Sequence, residues 1–150
     1  MTVTDRIDKL LINEVDYVDE PYVKKQTLWL YHGTPEKNVD KILKTGFNLS
    51  FIKPRWINDY AVSALTTKKG VLKYMRPGIV PLKFKFSGVV FFHEYMGEGP
   101  DSARFAKDAR TYNRKVLASG IDAVRLYSER GPYQYYVHNV KKISNIQVVK

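Results

Sequence analysis

Residues 27–34 read Thr-Leu-Trp-Leu-Tyr-His-Gly-Thr, and this stretch decides how the rest of the chain is interpreted. Its first six residues are strand-forming types, and the glycine that follows His32 is expected to end the strand. Thr34 is then expected to cap a short helix that begins with Pro35 and closes before Gly46. A histidine at such a turn can face a ligand together with open backbone amides. Spacing alone favours a structural role for His32 over a ligand-binding one.

Hydrophobic periodicity predicts the remaining elements. Leu82, Phe84 and Phe86 alternate with lysines, which is typical of a strand with one buried face, and Gly88 is expected to break that strand. This interrupted strand is expected over 80–92, and further strands are expected over 61–67, 123–127, 133–138 and 143–149. Helices are expected over 4–18 and 101–119. The second helix is expected to have an inward side and a basic outer side, formed respectively by Phe105, Ala109, Tyr112 and Val116 and by Lys107, Arg110 and Arg114. Because strands outnumber helices and the connections are short, the sequence predicts an α+β domain with largely antiparallel pairing.

Length and composition fit one folded domain over 1–150, made of a helical extension over 1–20 and a core over 27–149. The chain is 44% apolar and 13% aromatic, which is enough for a single hydrophobic core. Its N-terminus is acidic, and no apolar run approaches the roughly 18 to 20 residues that cross a bilayer. We therefore expect a monomer without a membrane segment, acting in a cytoplasm, its own or that of a host cell.

Charge is divided unevenly along the chain. Residues 1–20 hold six acids and two bases, whereas residues 21–150 hold nine acids and 23 bases. The basic segment 21–150 attracts anionic ligands, which include nucleic acids, nucleotides and acidic proteins. The ordinary alternative is a charged surface that only keeps the protein in solution.

Several kinds of chemistry are excluded by what the sequence lacks. Cysteine is absent, which removes disulfides, thiolate zinc sites and thiol nucleophiles. The three histidines do not have the spacing of metal ligands, so no metal is expected. Phosphate-binding glycine loops and the Gly-x-Ser-x-Gly elbow are also missing. Catalysis would have to come from His, Tyr, Ser, Thr, Gln or a carboxylate.

The string Leu-Tyr-His-Gly-Thr over 30–34, followed by Ile-Leu-Lys-Thr-Gly-Phe over 42–47, resembles the ADP-ribosyltransferase superfamily. This superfamily includes the poly(ADP-ribose) polymerase catalytic domains and the diphtheria-toxin class. The resemblance implies two small, mostly antiparallel sheets around an NAD cleft. It also implies that His32 binds the adenosine ribose of NAD, that the Gly33 backbone binds the nicotinamide carboxamide, and that Thr34 belongs to the same site.

A second part of the resemblance covers residues 62–74. The family has a strand of the type Gly-x-Tyr-Phe-Thr followed by a helix with Ala-x-Tyr, and here Val-Ser-Ala-Leu-Thr-Thr precedes Val-Leu-Lys-Tyr. The resemblance implies that Tyr74 stacks on nicotinamide, a favourable contact for a cationic ring. Ser63 or Thr66 is expected to line the cleft, and Arg55 or Lys68 is expected to balance the negative charge of the pyrophosphate. The structural alternative is that Tyr74 is a core aromatic residue.

The third part places Gln134 where the family has its catalytic glutamate. Gly-Ile-Asp-Ala-Val-Arg over 120–125 precedes Tyr-Gln-Tyr-Tyr-Val over 133–137. Release of nicotinamide builds positive charge on the ribose, and a carboxylate stabilises that charge. A glutamine can replace the carboxylate only in part, because it carries no negative charge. Three interpretations stay open: a slower transferase assisted by Glu129 or by an acidic acceptor, an inactive module that binds NAD or ADP-ribose, or a likeness of fold alone.

The resemblance thus predicts a mono-ADP-ribosyltransferase that uses NAD as its co-substrate. The acceptor would be a protein or a nucleic acid, acidic in character. Basic side chains are available to hold it, namely Lys83, Lys85, Lys107, Arg110 and Arg114. A basic nucleic-acid-binding domain without catalysis is the competing class.

Overall fold

The computed structural model of the protein describes residues 23–51, 60–73, 76–93, 109–128 and 131–149. The extension predicted over 1–20 lies outside the described residues. The strands are β1 (Val23–Pro35), β2 (Val62–Leu65), β3 (Ile79–His93), β4 (Ala123–Ser128), β5 (Gly131–Val137) and β6 (Ile143–Val148). The helices are α1 (Glu36–Thr45), α2 (Lys68–Lys73) and α3 (Ala109–Ala118), with 3-10 turns at Leu49–Phe51 and Val140–Lys142. None of these helices has the length and apolar character needed to cross a membrane.

The six strands form one sheet in the order β1-β2-β5-β4-β3-β6. Strand β1 also pairs with β3, so five strands close into a barrel and β6 adds to its side. Only the β3–β4 pair is parallel among the pairings described. The predicted α+β class and the mostly antiparallel pairing are confirmed.

The expectation of two separate sheets differs from this closed arrangement. Strand β3 is 15 residues long, and it pairs with β1 along one edge and with β6 and then β4 along the other. A strand of this length joins both halves of the sheet, because its two ends reach different neighbours. The single sheet therefore follows from the length of β3.

Gly88 does not break β3, contrary to the sequence expectation. It stays in the ladder opposite Gln26. A Cβ at this position would lie 2.6 Å from Asp122 Oδ2, so glycine is needed for close packing and not for a turn. Asp122 uses this approach to accept hydrogen bonds from the Val89 amide at 2.8 Å and from Asn139 Nδ2 at 2.9 Å. The buried carboxylate thus ties β3 to the segments before β4 and after β5.

Two hydrophobic cores lie on opposite faces of the sheet. The barrel interior is filled by side chains from all five of its strands: Leu30, Val62, Ala64, Phe84, Phe86, Val90, Ala123, Tyr135 and Val137. Outside the barrel, α3 packs against the far end of the sheet through Tyr112 and Val116, in contact with Val23, Phe91 and Val124. The inward face predicted for this helix is confirmed over its described part, and Arg110 and Arg114 are exposed as expected.

The junction between β1 and α1 also differs from the prediction. Strand β1 continues through Pro35, which is paired with Ile79 and occupies the N-cap position of α1. Thr34 therefore lies in the strand and makes no capping hydrogen bond. At the other end Gly46 has φ 82° and its amide donates to the Ile42 carbonyl at 2.8 Å, which confirms the predicted helix end.

Candidate functional site

A cleft of about 250 Å³ opens where β1 and β2 separate. These strands are joined there by a single residue pair, Tyr31 with Leu65, so their backbones diverge on either side of it. Helix α2 covers one wall. The cleft is lined by Tyr31, His32, Gly33, Ser63, Ala64, Leu65, Gly70, Val71, Arg76, Ile79 and Gln134. The cleft thus brings together four of the predicted site residues from β1, β2 and β5, namely His32, Gly33, Ser63 and Gln134.

His32 is held in one orientation by its neighbours. Its Nδ1 lies 2.5 Å from the Ser63 carbonyl oxygen, and its ring meets Phe47 edge-on at 5.4 Å between centroids. A carbonyl oxygen only accepts, so Nδ1 must carry the proton of this hydrogen bond. Burial lowers the pKa of His32 and outweighs the Ser63 carbonyl, which raises it. The neutral ring therefore presents Nε2 as an acceptor, suited to a hydroxyl donor.

A second cavity, the α1 groove, adjoins the cleft. It has a volume of about 620 Å³ and lies between α1 and β2. His32 and Ser63 line both cavities, so their hydrogen bond forms part of the wall between them. The other lining residues include Thr34, Lys37, Asn38, Lys41, Phe47 and Asn48. The two cavities are therefore neighbours that share His32 and Ser63 as lining residues.

Gln134 lines the cleft from the central strand β5, where it pairs with Leu65 on one side and Leu126 on the other. Its neighbour Tyr135 points into the barrel, so alternation puts Gln134 on the outer face of the sheet. His32 shares the inner face with Leu30 by the same rule. One ligand can touch both side chains only through the opening between β1 and β2.

Charge in both cavities favours an anion. Arg76 is exposed and lines the cleft, and Lys37 and Lys41 line the groove. No aspartate or glutamate is among the described residues that line either cavity. Sequence reasoning missed Arg76, since a single arginine before a Pro-Gly turn carries no distinctive pattern.

Gly33 lets two elements approach the turn closely. A Cβ built on it would lie 3.0 Å from Ile79 Cγ2 and 3.6 Å from Val71 Cγ1, both of which belong to cleft-lining residues. A larger residue would push β3 and α2 away from β1. The glycine therefore keeps the cleft narrow, which a ligand gripped by backbone atoms requires.

The other predicted site residues fall into three groups. Ser63 lines both cavities, and Thr34, only 3% exposed, lines the groove and not the cleft. Thr66 follows β2 and lines neither cavity. Arg55, Tyr74 and Glu129 lie outside the described residues.

Similarity to known proteins adds no assignment. No protein-family model matches the chain, and no curated protein matches it. Within the described ranges, no group of three or more His, Asp or Glu side chains is placed to hold a metal ion. The site must be interpreted from its own geometry and from the sequence resemblance.

Proposed function

We propose that the protein binds NAD across the cleft and the α1 groove and acts as a slow mono-ADP-ribosyltransferase. One observation carries this proposal: Gln134 lines the same cleft as the adjacent residues His32 and Gly33, although it is about 100 residues farther along the chain. The resemblance assigns all three residues to NAD, and their shared cleft supports that assignment.

Binding would use the neutral ring of His32. Its Nε2 accepts a hydrogen bond from a ribose hydroxyl, while Nδ1 stays bound to the Ser63 carbonyl. Arg76 on the cleft side and Lys37 on the groove side attract the diphosphate. The two neighbouring cavities, of about 250 and 620 Å³, would each take one half of the dinucleotide.

Transfer would break the bond between C1′ of the ribose and the nicotinamide nitrogen, with the electron pair leaving on nicotinamide. An acceptor nucleophile then bonds to C1′ and releases its proton to solvent water. Gln134 can orient the ribose hydroxyls but brings no negative charge to stabilise the developing cation. We expect turnover about 10²- to 10³-fold slower than with a carboxylate at this position.

A second candidate is a module that binds NAD or ADP-ribose without turnover. It is favoured by the absence of an acidic side chain from the described lining of both cavities. Binding alone needs the histidine, the cations and the narrow turn at Gly33. It does not need a carboxylate.

Incubation of the purified protein with NAD labelled in the adenosine moiety, alone and with a cell lysate, separates the two candidates. The transferase requires free nicotinamide together with label on a macromolecule, and both should be lost in His32→Phe, which places an aromatic ring without nitrogens at this position. NAD binding without nicotinamide release would support the second candidate. Failure to bind NAD would contradict the transferase, and failure to bind either NAD or ADP-ribose would contradict both candidates.

A further inference from the structure

The outer face of β1 and β3 carries aromatic and basic side chains next to one another. The register places Trp29 opposite Lys85 and Tyr31 opposite Lys83. Residues directly opposite each other in an antiparallel pair share a face, and Lys25 falls on the same face by alternation. We call this surface the basic sheet face; it consists of Lys25, Trp29, Tyr31, Lys83 and Lys85. Strands β1 and β3 contain four lysines and no acidic residue, and the adjoining β6 is also free of acids.

Trp29 is the largest side chain left in solvent on this face. It is 40% exposed, and Lys83 Nζ lies 5.2 Å from its ring centroid. Nearby polar groups include Thr27 and Ser87, whose hydroxyl oxygens are 2.8 Å apart. Because Lys83 lies over one face of the indole, a base would stack on the opposite face, close to that positive charge.

We propose that the basic sheet face binds single-stranded nucleic acid. A base would stack on Trp29, and the backbone phosphates would lie against Lys25, Lys83 and Lys85. Charge complementarity supports this partner, since the strands that form the face hold only cationic and neutral side chains. An unpaired strand is favoured over a duplex because stacking on an aromatic side chain needs a base free of its own partner.

The basic sheet face leads directly to the cleft. Tyr31 follows Trp29 on the same face, about 7 Å farther along β1, and it also lines the cleft. A strand bound through Trp29 therefore places its next nucleotide at the cleft opening. The binding of single-stranded nucleic acid to this face does not depend on the proposed function. A role for that nucleic acid as the ADP-ribose acceptor does rest on the proposed function.

Fluorescence anisotropy with a labelled single-stranded oligonucleotide of mixed sequence, in the absence of NAD, tests the binding. Trp29→Ala should weaken binding about ten-fold or more, and Trp29→Phe should stay close to the wild type because it keeps a stacking ring. The pair Lys83→Gln and Lys85→Gln should reduce the slope of log affinity against log salt by about 1.4. The control pair Lys44→Gln and Lys69→Gln removes the same charge from exposed positions of α1 and α2 that line neither cavity, and it should leave that slope unchanged.

The proposal is overturned if the wild type does not bind the oligonucleotide or if the control pair weakens binding as much as the sheet pair does. It is also overturned if a duplex of the same sequence binds equally well. Tighter, Trp29-dependent binding of polyglutamate would indicate an acidic protein partner instead. Nicotinamide release is measured separately, so intact oligonucleotide binding without NAD turnover would count against the proposed function alone.

Discussion

His138 should make the stability of the fold depend on pH. The side chain is 1% exposed, it packs edge-on against Tyr112 at 5.5 Å, and its Nδ1 is 3.1 Å from Asn113 Nδ2. Burial lowers its pKa to about 3 and outweighs the Tyr60 carbonyl, which raises it. In the unfolded chain the pKa of a histidine is near 6.5. Between pH 3 and pH 6.5, therefore, His138 binds a proton in the unfolded chain but stays neutral in the native state.

The contribution of His138 is therefore fully present above about pH 6.5 and is lost as the pH falls toward 3. The loss reaches about 2 kcal/mol by pH 5 and about 5 kcal/mol at the acid limit. Urea denaturation of the wild type and of His138→Gln, at pH 7 and at pH 5, measures this loss in the free energy of unfolding. His32 shifts stability in the same direction in both proteins and cancels in the comparison.

Glutamine cannot titrate, so the free energy of unfolding of His138→Gln should decline less between pH 7 and pH 5, by about 2 kcal/mol. The variant will be less stable than the wild type at pH 7, which does not affect the comparison of slopes. Equal losses in the two proteins would refute the assignment of a buried, neutral imidazole.

Three further changes test the site and the fold. Gln134→Glu should raise nicotinamide release about 10²- to 10³-fold, because it restores a carboxylate beside the reacting ribose; an unchanged rate would show that Gln134 does not reach the substrate. Arg76→Gln should weaken NAD binding about ten-fold in calorimetry. The control Lys44→Gln removes an exposed cation that lines neither cavity, and it should leave NAD binding unchanged. Equal effects of the two variants would indicate only a general dependence on charge. Gly88→Ala should lower the free energy of unfolding by about 1 to 3 kcal/mol in urea titrations, since its Cβ would collide with Asp122, and a neutral result would contradict that packing.

Local sequence patterns predicted the elements that have strong periodicity. Alternation at Leu82, Phe84 and Phe86 indicated the buried face of β3, and all three side chains are fully buried. Helical spacing likewise indicated Tyr112 and Val116 as the inward side of α3. In each case the solvent and the core impose the pattern residue by residue, so the signal is contained in a short window.

Features that depend on distant pairing could not be predicted in this way. Closure of the barrel depends on β1 pairing with both β2 and β3, which no local pattern specifies. Thr34 was expected to cap α1, yet pairing with Val80 keeps it in the strand. The cleft follows from the same cause: Gln134 lines it together with His32 because β2 pairs with both β1 and β5.

Calorimetric titration of NAD into the wild-type protein and His32→Phe is the most direct check on the shared cleft, with folding of both verified by circular dichroism. We expect one NAD per chain for the wild type and at least ten-fold weaker binding for the variant, because phenylalanine offers no acceptor to the ribose. Equal affinities, or no binding by the wild type at millimolar NAD, would contradict the account.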